Sequence, residues 1–423
     1  MKTKTVKQSI ISLLFLTVIL PDIGSQIRSQ SPILASQSRE ETVIELANKA
    51  PISHEASIRK IKDVMIYENP QFHCGFPAVI KRPDGEIFVA FLLSPDRRVF
   101  GETNPHIHVD CNAQTVMVRS FDGETWTKEP DLIYAYPFGD SGGSGLLQLR
   151  DGTLIGVAHS YTFIKPEGIA NLKKPVIVSD PSILYGSAVF LGSYVIRSTD
   201  GGSSWKGPIY PPAIPAEVYC SPFGNTNASY GQLSEGVSGR IFWGVYTWHN
   251  EQGGIGSYLL TSDDKGLTWT YRCPIAVDEK VTFDETCVYE TPKGDIVAFM
   301  RTARFNDYAC IARSTDGGNS FEKWESMGFQ GHPMNVLRLA DNRVLLVYGY
   351  RHSPYGIRAR ILNAECTDFA TSEEFVLRDD GHTTDLGYPW PVQLDDNRVL
   401  VAYYFHRHPD DTIHIAGTII EIK

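Results

Sequence analysis

The chain has little of what most functional classes need. Its 423 residues carry no CxxC pair and no His/Cys spacing of a metal site, although seven cysteines are present at 74, 111, 220, 273, 287, 310 and 366. That scatter excludes a zinc ribbon or finger and gives no sign of a disulfide framework; Cys74 and Cys287 fall in apolar runs, where a thiol behaves as a small hydrophobe. No metal and no cofactor is expected. Positive charge is also lacking. The net charge of -10 speaks against a nucleic-acid-binding face, so any anionic ligand must be held by a few local arginines. Long amphipathic helical patterns are absent. The longest apolar run, "IISLLFLTVIL" at Ile10–Leu20, is about eleven residues, short for a bilayer span of roughly 20.

That apolar run reads instead as an export signal. Lys2, Lys4 and Lys7 precede it, and Gly24 and Ser25 follow as small residues suited to cleavage. We expect a signal peptide at 1–25, a leader at 26–55, a globular unit over 56–423, and a secreted or periplasmic product with no stable membrane span.

What is present is repetition. "RSTDGGSSW" from Arg197 returns as "TSDDKGLTW" from Thr261, "RSTDGGNSF" from Arg313 and, one residue shorter, "RSFDGETW" from Arg119. In each, the Asp can accept backbone N–H bonds, Gly supplies positive φ, and the aromatic can pack between sheets. Four such aspartates cannot share one catalytic centre, so the turn reads as a fold fastener. A second repeat is an apolar strand, a DG- or DN-like turn and another apolar strand, starting at Pro77, Leu146, Leu233, Cys287, Asn335 and Pro391. "ILNAECTDF" stands as a degenerate fastener after the fifth hairpin, and "TIHIAGTIIEI" as a closing strand after the sixth. Six units of about 50–80 residues, each a hairpin plus a returning pair, imply an all-β six-bladed propeller of four-stranded antiparallel sheets.

In a propeller the segments before the hairpins converge on one mouth. Here they are "FHCGFP", "GDSGGSG", "NTNASYG", "FDETC", "GHPMN" and "DLGYPWP", with "HSYTF", "MRTAR", "YGYRHSPYGIR" and "YFHRH" returning to it. Much of the chain's His, Arg, Tyr and Asp gathers there.

The repeated turn resembles the Asp-box, or BNR repeat, of the sialidase superfamily, S-x-D-x-G-x-x-W; the likeness covers residues 70–423. Three further segments resemble that family's site. "DETCVYETPKGDIVAFMR" implies Glu285 as the carboxylate partnering a tyrosine nucleophile and Arg301 as a carboxylate-binding arginine. "LGYPWPVQLDDNRVLVAYYF" implies Tyr388 as the nucleophile. "HVDCNAQTVMVRS" implies Asp110 as acid/base, with His106 and His108 beside it as alternatives. The implied activity is that of an exported, monomeric, retaining exo-sialidase-type hydrolase acting on a glycan. A phenol suits an anionic anomeric centre because it attacks with less repulsion than a carboxylate would.

One departure matters. Where the family opens its first blade with F-R-I-P, this chain has "CGFP", with Gly75 in the arginine's place. An unreplaced guanidinium removes a charge-assisted contact of roughly 1.5–3 kcal/mol. His73, Lys81 and Arg97 are candidates to compensate, and either Arg351 or Arg358 completes the set. Two other readings stay open. A polysaccharide lyase would pair Tyr388 with His73 or His332 and set Arg301 on a uronate. A non-catalytic glycan-binding propeller would grip sugar with Arg301, Trp390 and Tyr388. Structurally, each of these residues also has a plain role as packing or strand-end pairing.

Overall fold

Hydrophobic alternation broken by tight turns produces short antiparallel strands, and strands of this length bury their faces by stacking sheet on sheet. The structure, a computed structural model, describes residues 57–102, 108–172, 175–178 and 187–423. The expected signal peptide and leader lie outside the described residues, as does His106. Six four-stranded antiparallel sheets form the six blades of a β-propeller. All six hairpins read from the sequence form the two inner strands of their blades. The innermost strands are Phe72–Lys81, Gly142–Gln148, Ser234–Glu235, Thr282–Glu290, Met334–Arg338 and Gly387–Gln393 for blades 1 to 6.

The ring closes through a strand that the repeats do not announce. Ile58–Tyr67 pairs antiparallel with His414–Ile422 and becomes the outermost strand of blade 6. The first residues of the fold are thereby tied to the last, which removes the free edge that an open ring would leave.

Burial follows the same logic. The apolar clusters lie between blades: Val195 and Ile155 of blade 2 meet Trp243 and Leu260 of blade 3, and Phe299 of blade 4 meets Val344 and Tyr348 of blade 5. The repeated turns sit between the third and fourth strands of blades 1 to 4. In each, a serine Oγ accepts from the glycine N–H at 2.9 Å, and an aspartate Oδ1 accepts from the next backbone N–H groups. Gly202, at φ 84°, shows why the position is glycine: a Cβ there would lie 3.2 Å from Phe88 of blade 1. The equivalent glycine of blade 3, Gly266, abuts Ile155 of blade 2, and that of blade 4, Gly318, abuts Leu259 of blade 3. The turn therefore fastens each blade to the one before it. In blade 5 the degenerate turn holds by other means, Asn363 Oδ1 accepting from the N–H groups of Glu365 and Thr367.

All seven cysteines are free thiols. Among the described residues no helix is long and apolar enough to cross a membrane.

Candidate functional site

Strands normally point alternate side chains to opposite faces, which would scatter the polar residues of the mouth. The innermost strand of blade 2 slips register between Gly143 and Gly145, and three others break the alternation around a bulky residue. Their pairing slips between Gly75 and Ala78, between Asp284 and Thr286, and between Gly387 and Trp390. Inside each bulge a bulky residue takes a left-handed backbone: Phe76 at φ 54°, Glu285 at 27° and Tyr388 at 50°. Such residues carry strain of about 1–3 kcal/mol each, and bulges of this kind re-aim a side chain. Here they bring three side chains from blades 1, 4 and 6 to one point.

At that point the Tyr388 hydroxyl donates to Glu285 Oε1. Arg301, from the returning strand of blade 4, donates through Nη1 to Glu285 Oε2 at 2.6 Å and lies 3.3 Å from the Tyr388 oxygen. Its Nε is 3.5 Å from Asp284. Tyr388 and Glu285 are 3% and 2% exposed, so water does little to screen these charges. Burial raises the Tyr388 phenol well above its ordinary pKa, and the Glu285 charge adds to the rise against Arg301 and Arg351. Burial works against the Arg301 charge, but Glu285 and Asp284 outweigh it and hold the guanidinium firmly protonated. Burial likewise pushes the Asp284 carboxyl up to about 7, against the pull of Arg301. The arrangement places a neutral phenol on a base able to take its proton as its oxygen forms a bond.

Arg351 is the second arginine at this point. Its guanidinium lies 5.5 Å from the Tyr388 ring centre, donates to Leu386 O at 3.1 Å and reaches the Tyr404 hydroxyl at 3.2 Å. Tyr404 in turn donates to Asp385 at 3.0 Å. Arg358 is not brought there. It is buried, donates to the carbonyls of Ile357, Arg378 and Pro354, and stacks over Tyr350 at 4.7 Å, which ties blade 5 to its outer strand.

The remaining expected residues divide. His73 borders the place left by Gly75: a Cβ on Gly75 would lie 3.3 Å from His73 Nε2, so the imidazole fills space that an arginine would need. His332 is 4% exposed and 3.6 Å from Asp307; burial and then Arg301 lower its pKa to about 4, so it is neutral. Trp390 is 2% exposed and packs in the core cluster shared by blades 6, 1 and 2, to which Tyr388 also belongs. Lys81 ends its strand far from the mouth and donates to Leu394 O, so it cannot stand in for the missing guanidinium. Arg97 is committed elsewhere, to Asp110. Asp110 is itself fully buried, accepting from Arg97 Nε at 2.5 Å, from Arg97 Nη2, and from the Asn112 N–H at 2.8 Å. All three of these donors hold the carboxyl inside the protein.

Sequence reasoning did not single out several neighbours. Phe76 packs edge-on to Tyr388 at 4.8 Å between ring centres and also touches His108, Tyr230 and Tyr404. Tyr230 and His159 share a buried 2.9 Å hydrogen bond beneath Tyr388. Asp385, three residues before Tyr388, faces His108 at 3.2 Å. All belong to mouth segments, and that position was the available signal. Among the described residues no group of three or more His, Cys, Asp or Glu is arranged to hold a metal ion.

Residues 176–401 match the family model described as a BNR repeat-like domain. A sialidase of Micromonospora viridifaciens is 26% identical over 335 residues, 75% of this chain and 45% of that protein. The chain thus spans less than half the length of that relative. A crystal structure of a protein of unknown function from Dyadobacter fermentans is 57% identical, with a TM-score of 0.83 over 86% of this chain and 99% of that one. The NanB sialidase of Streptococcus pneumoniae, at 14% identity and a TM-score of 0.56 over 90% of this chain and 72% of its own, shares the fold.

Proposed function

From the premise that the chain belongs to the BNR repeat-like family, in its sialidase-like propeller form, we propose that it is a retaining exo-glycosidase that releases a terminal acidic sugar from a glycan. The hydrogen bond from the Tyr388 hydroxyl to Glu285, with Arg301 touching both, carries the reading. A simple sugar-binding site has no need of a base on a buried phenol. Tyr388 attacks the anomeric carbon while Glu285 takes its proton; water then releases the sugar from the tyrosyl intermediate. Arg301 and Arg351 hold the sugar carboxylate by planar hydrogen bonds. With Gly75 and His73 where a further guanidinium would stand, the pocket takes a sugar acid on two arginines. The likeness to a curated sialidase supports the substrate class. Export to the periplasm or medium fits a glycan substrate and the sequence of residues 1–25.

The test is release of 4-methylumbelliferone from its sialoside and from glycosides of other sugar acids. We expect turnover on at least one, loss of it in Tyr388→Phe, and a covalent sugar adduct on Tyr388 when a fluorinated glycosyl fluoride traps the intermediate. Silence across the panel, or full activity in Tyr388→Phe, overturns the reading.

A further inference from the structure

The mechanism needs a proton donor for the departing oxygen, and Asp110 is fully buried with its oxygens already accepting from Arg97 and Asn112. Asp140, the next carboxyl along the mouth, is 2% exposed and turned into blade 2, its Oδ1 accepting from the Tyr161 N–H and the Ser160 hydroxyl. Among the described residues, His108 is a group of the right chemistry that is partly exposed and joined to the phenol through Phe76. The His108 side chain is 15% exposed, its ring 5.0 Å from that of Phe76, which in turn lies 4.8 Å from Tyr388. His108 Nε2 is 3.2 Å from one oxygen of Asp385 and 3.3 Å from the other, and Asp385 is fixed by the Tyr404 hydroxyl at 3.0 Å.

Resting on the proposed glycosidase reading, we infer that His108 is the general acid/base of this site and Asp385 its positioning residue. An imidazole held by a carboxylate is a common proton carrier near neutral pH. In the first step the imidazolium gives its proton to the glycosidic oxygen as the anomeric C–O bond breaks. The Tyr388 oxygen bonds to the anomeric carbon, and its proton passes to Glu285. In the second, neutral His108 takes a proton from water as the water oxygen attacks that carbon. The tyrosyl C–O bond breaks, and the phenolate recovers its proton from Glu285. Among the described residues, the charged and titratable groups facing His108 include Asp385 and His73, with Arg351 reaching Asp385 through Tyr404.

The experiment compares His108→Ala, Asp385→Asn and Asp110→Asn on an aryl glycoside with an activated leaving group and on an alkyl glycoside of the same sugar. For His108→Ala we expect a loss of about 10²–10⁴-fold on the alkyl glycoside. Turnover of the aryl glycoside should be largely restored by azide, which attacks the tyrosyl intermediate in place of water and leaves as the glycosyl azide. Asp385→Asn should lower kcat on the alkyl glycoside far more than on the aryl glycoside and leave KM unchanged; a purely structural role would lower turnover of both alike. If leaving-group dependence and azide rescue appear in Asp110→Asn and not in His108→Ala, the assignment is overturned while the Tyr388 reading stands. If Tyr388→Phe keeps full activity, the reading on which it rests falls first.

Discussion

Replacing Arg301 by methionine tests the electrostatics of the mouth without any substrate. The change keeps a long apolar stem and removes the charge that faces two carboxylates, Glu285 at 2.6 Å and Asp284 at 3.5 Å. Glu285 is 2% exposed, so its charge would be left buried with its principal partner gone. Removing one member of a buried ion pair destabilises by about 3–5 kcal/mol. The deficit must also depend on pH in a definite direction. The Asp284 carboxyl already stands at about 7 through burial, with Arg301 pulling it down; without the arginine it rises further. A carboxyl whose folded pKa lies above its unfolded value binds more protons folded than unfolded between the two, so stability falls as pH rises through that window. Arg301→Met should therefore show a larger deficit at pH 8 than at pH 5, the difference from Asp284 approaching about 1.4 kcal/mol, the free energy of the one pH unit between 7 and 8. Urea unfolding of both proteins at the two pH values measures this. A deficit below about 1 kcal/mol at pH 8, or one of equal size at both, would refute the claim that Arg301 is what keeps these carboxylates buried.

Two further changes probe the scaffold. Asp200 is held down to about 2 by hydrogen bonds from Ser204 and Ser198, so its contribution is present above the ordinary carboxylate range and lost as pH falls through about 2. Asp200→Asn should be less stable than the parent at pH 7, and the two unfolding curves should converge toward pH 2; a constant gap would deny the turn its charge-assisted bonds. Gly231→Ala would put a Cβ 1.8 Å from the Thr286 carbonyl oxygen, next to Glu285. Overpacking of this kind costs about 1–3 kcal/mol or more, and it should lower both the melting temperature and turnover; an unchanged melting temperature contradicts the contact.

The parts of the fold that were legible are those with local causes. A Ser, an Asp and a Gly within five residues close the same turn wherever they occur, and a DG or DN between apolar runs makes a hairpin, so blades 1 to 5 could be read in order. Ile58–Tyr67 could not, since its partner lies more than 350 residues away and nothing local marks it as the strand that closes the ring. In the mouth, segment positions were readable but side-chain directions were not. Arg351 and Arg358 stand seven residues apart in one segment. One reaches the Tyr388 ring and the other turns to backbone carbonyls, a choice made by the loop between them. Trp390 and Lys81 follow Tyr388 and Gly75 on the same strands, yet the bulges and strand length carry them into the core and to the far end. The bulges themselves were invisible because Phe76, Glu285 and Tyr388 occupy a backbone region that usually announces itself by glycine.

The two arginines of the mouth are not equivalent, and the difference bears on how the proposed substrate binds. Arg301 faces Glu285 and Asp284, so its charge is already met by protein carboxylates. Arg351 donates to neutral oxygens, the Leu386 carbonyl and the Tyr404 hydroxyl, and that hydroxyl in turn donates to Asp385. Two opposite charges about 4 Å apart near a protein surface attract by about 4 kcal/mol, and that attraction is largely taken up at Arg301 but not at Arg351. On the proposed reading a sugar carboxylate therefore gains most from Arg351. Binding there leaves Arg301 to hold Glu285 in place as the Tyr388 proton arrives. A site in which Arg351 carries most of the substrate's charge and Arg301 divides its own between the sugar and the base can dispense with the guanidinium that Gly75 replaces, because the anion is not asked to bridge three cations before the phenol can attack it.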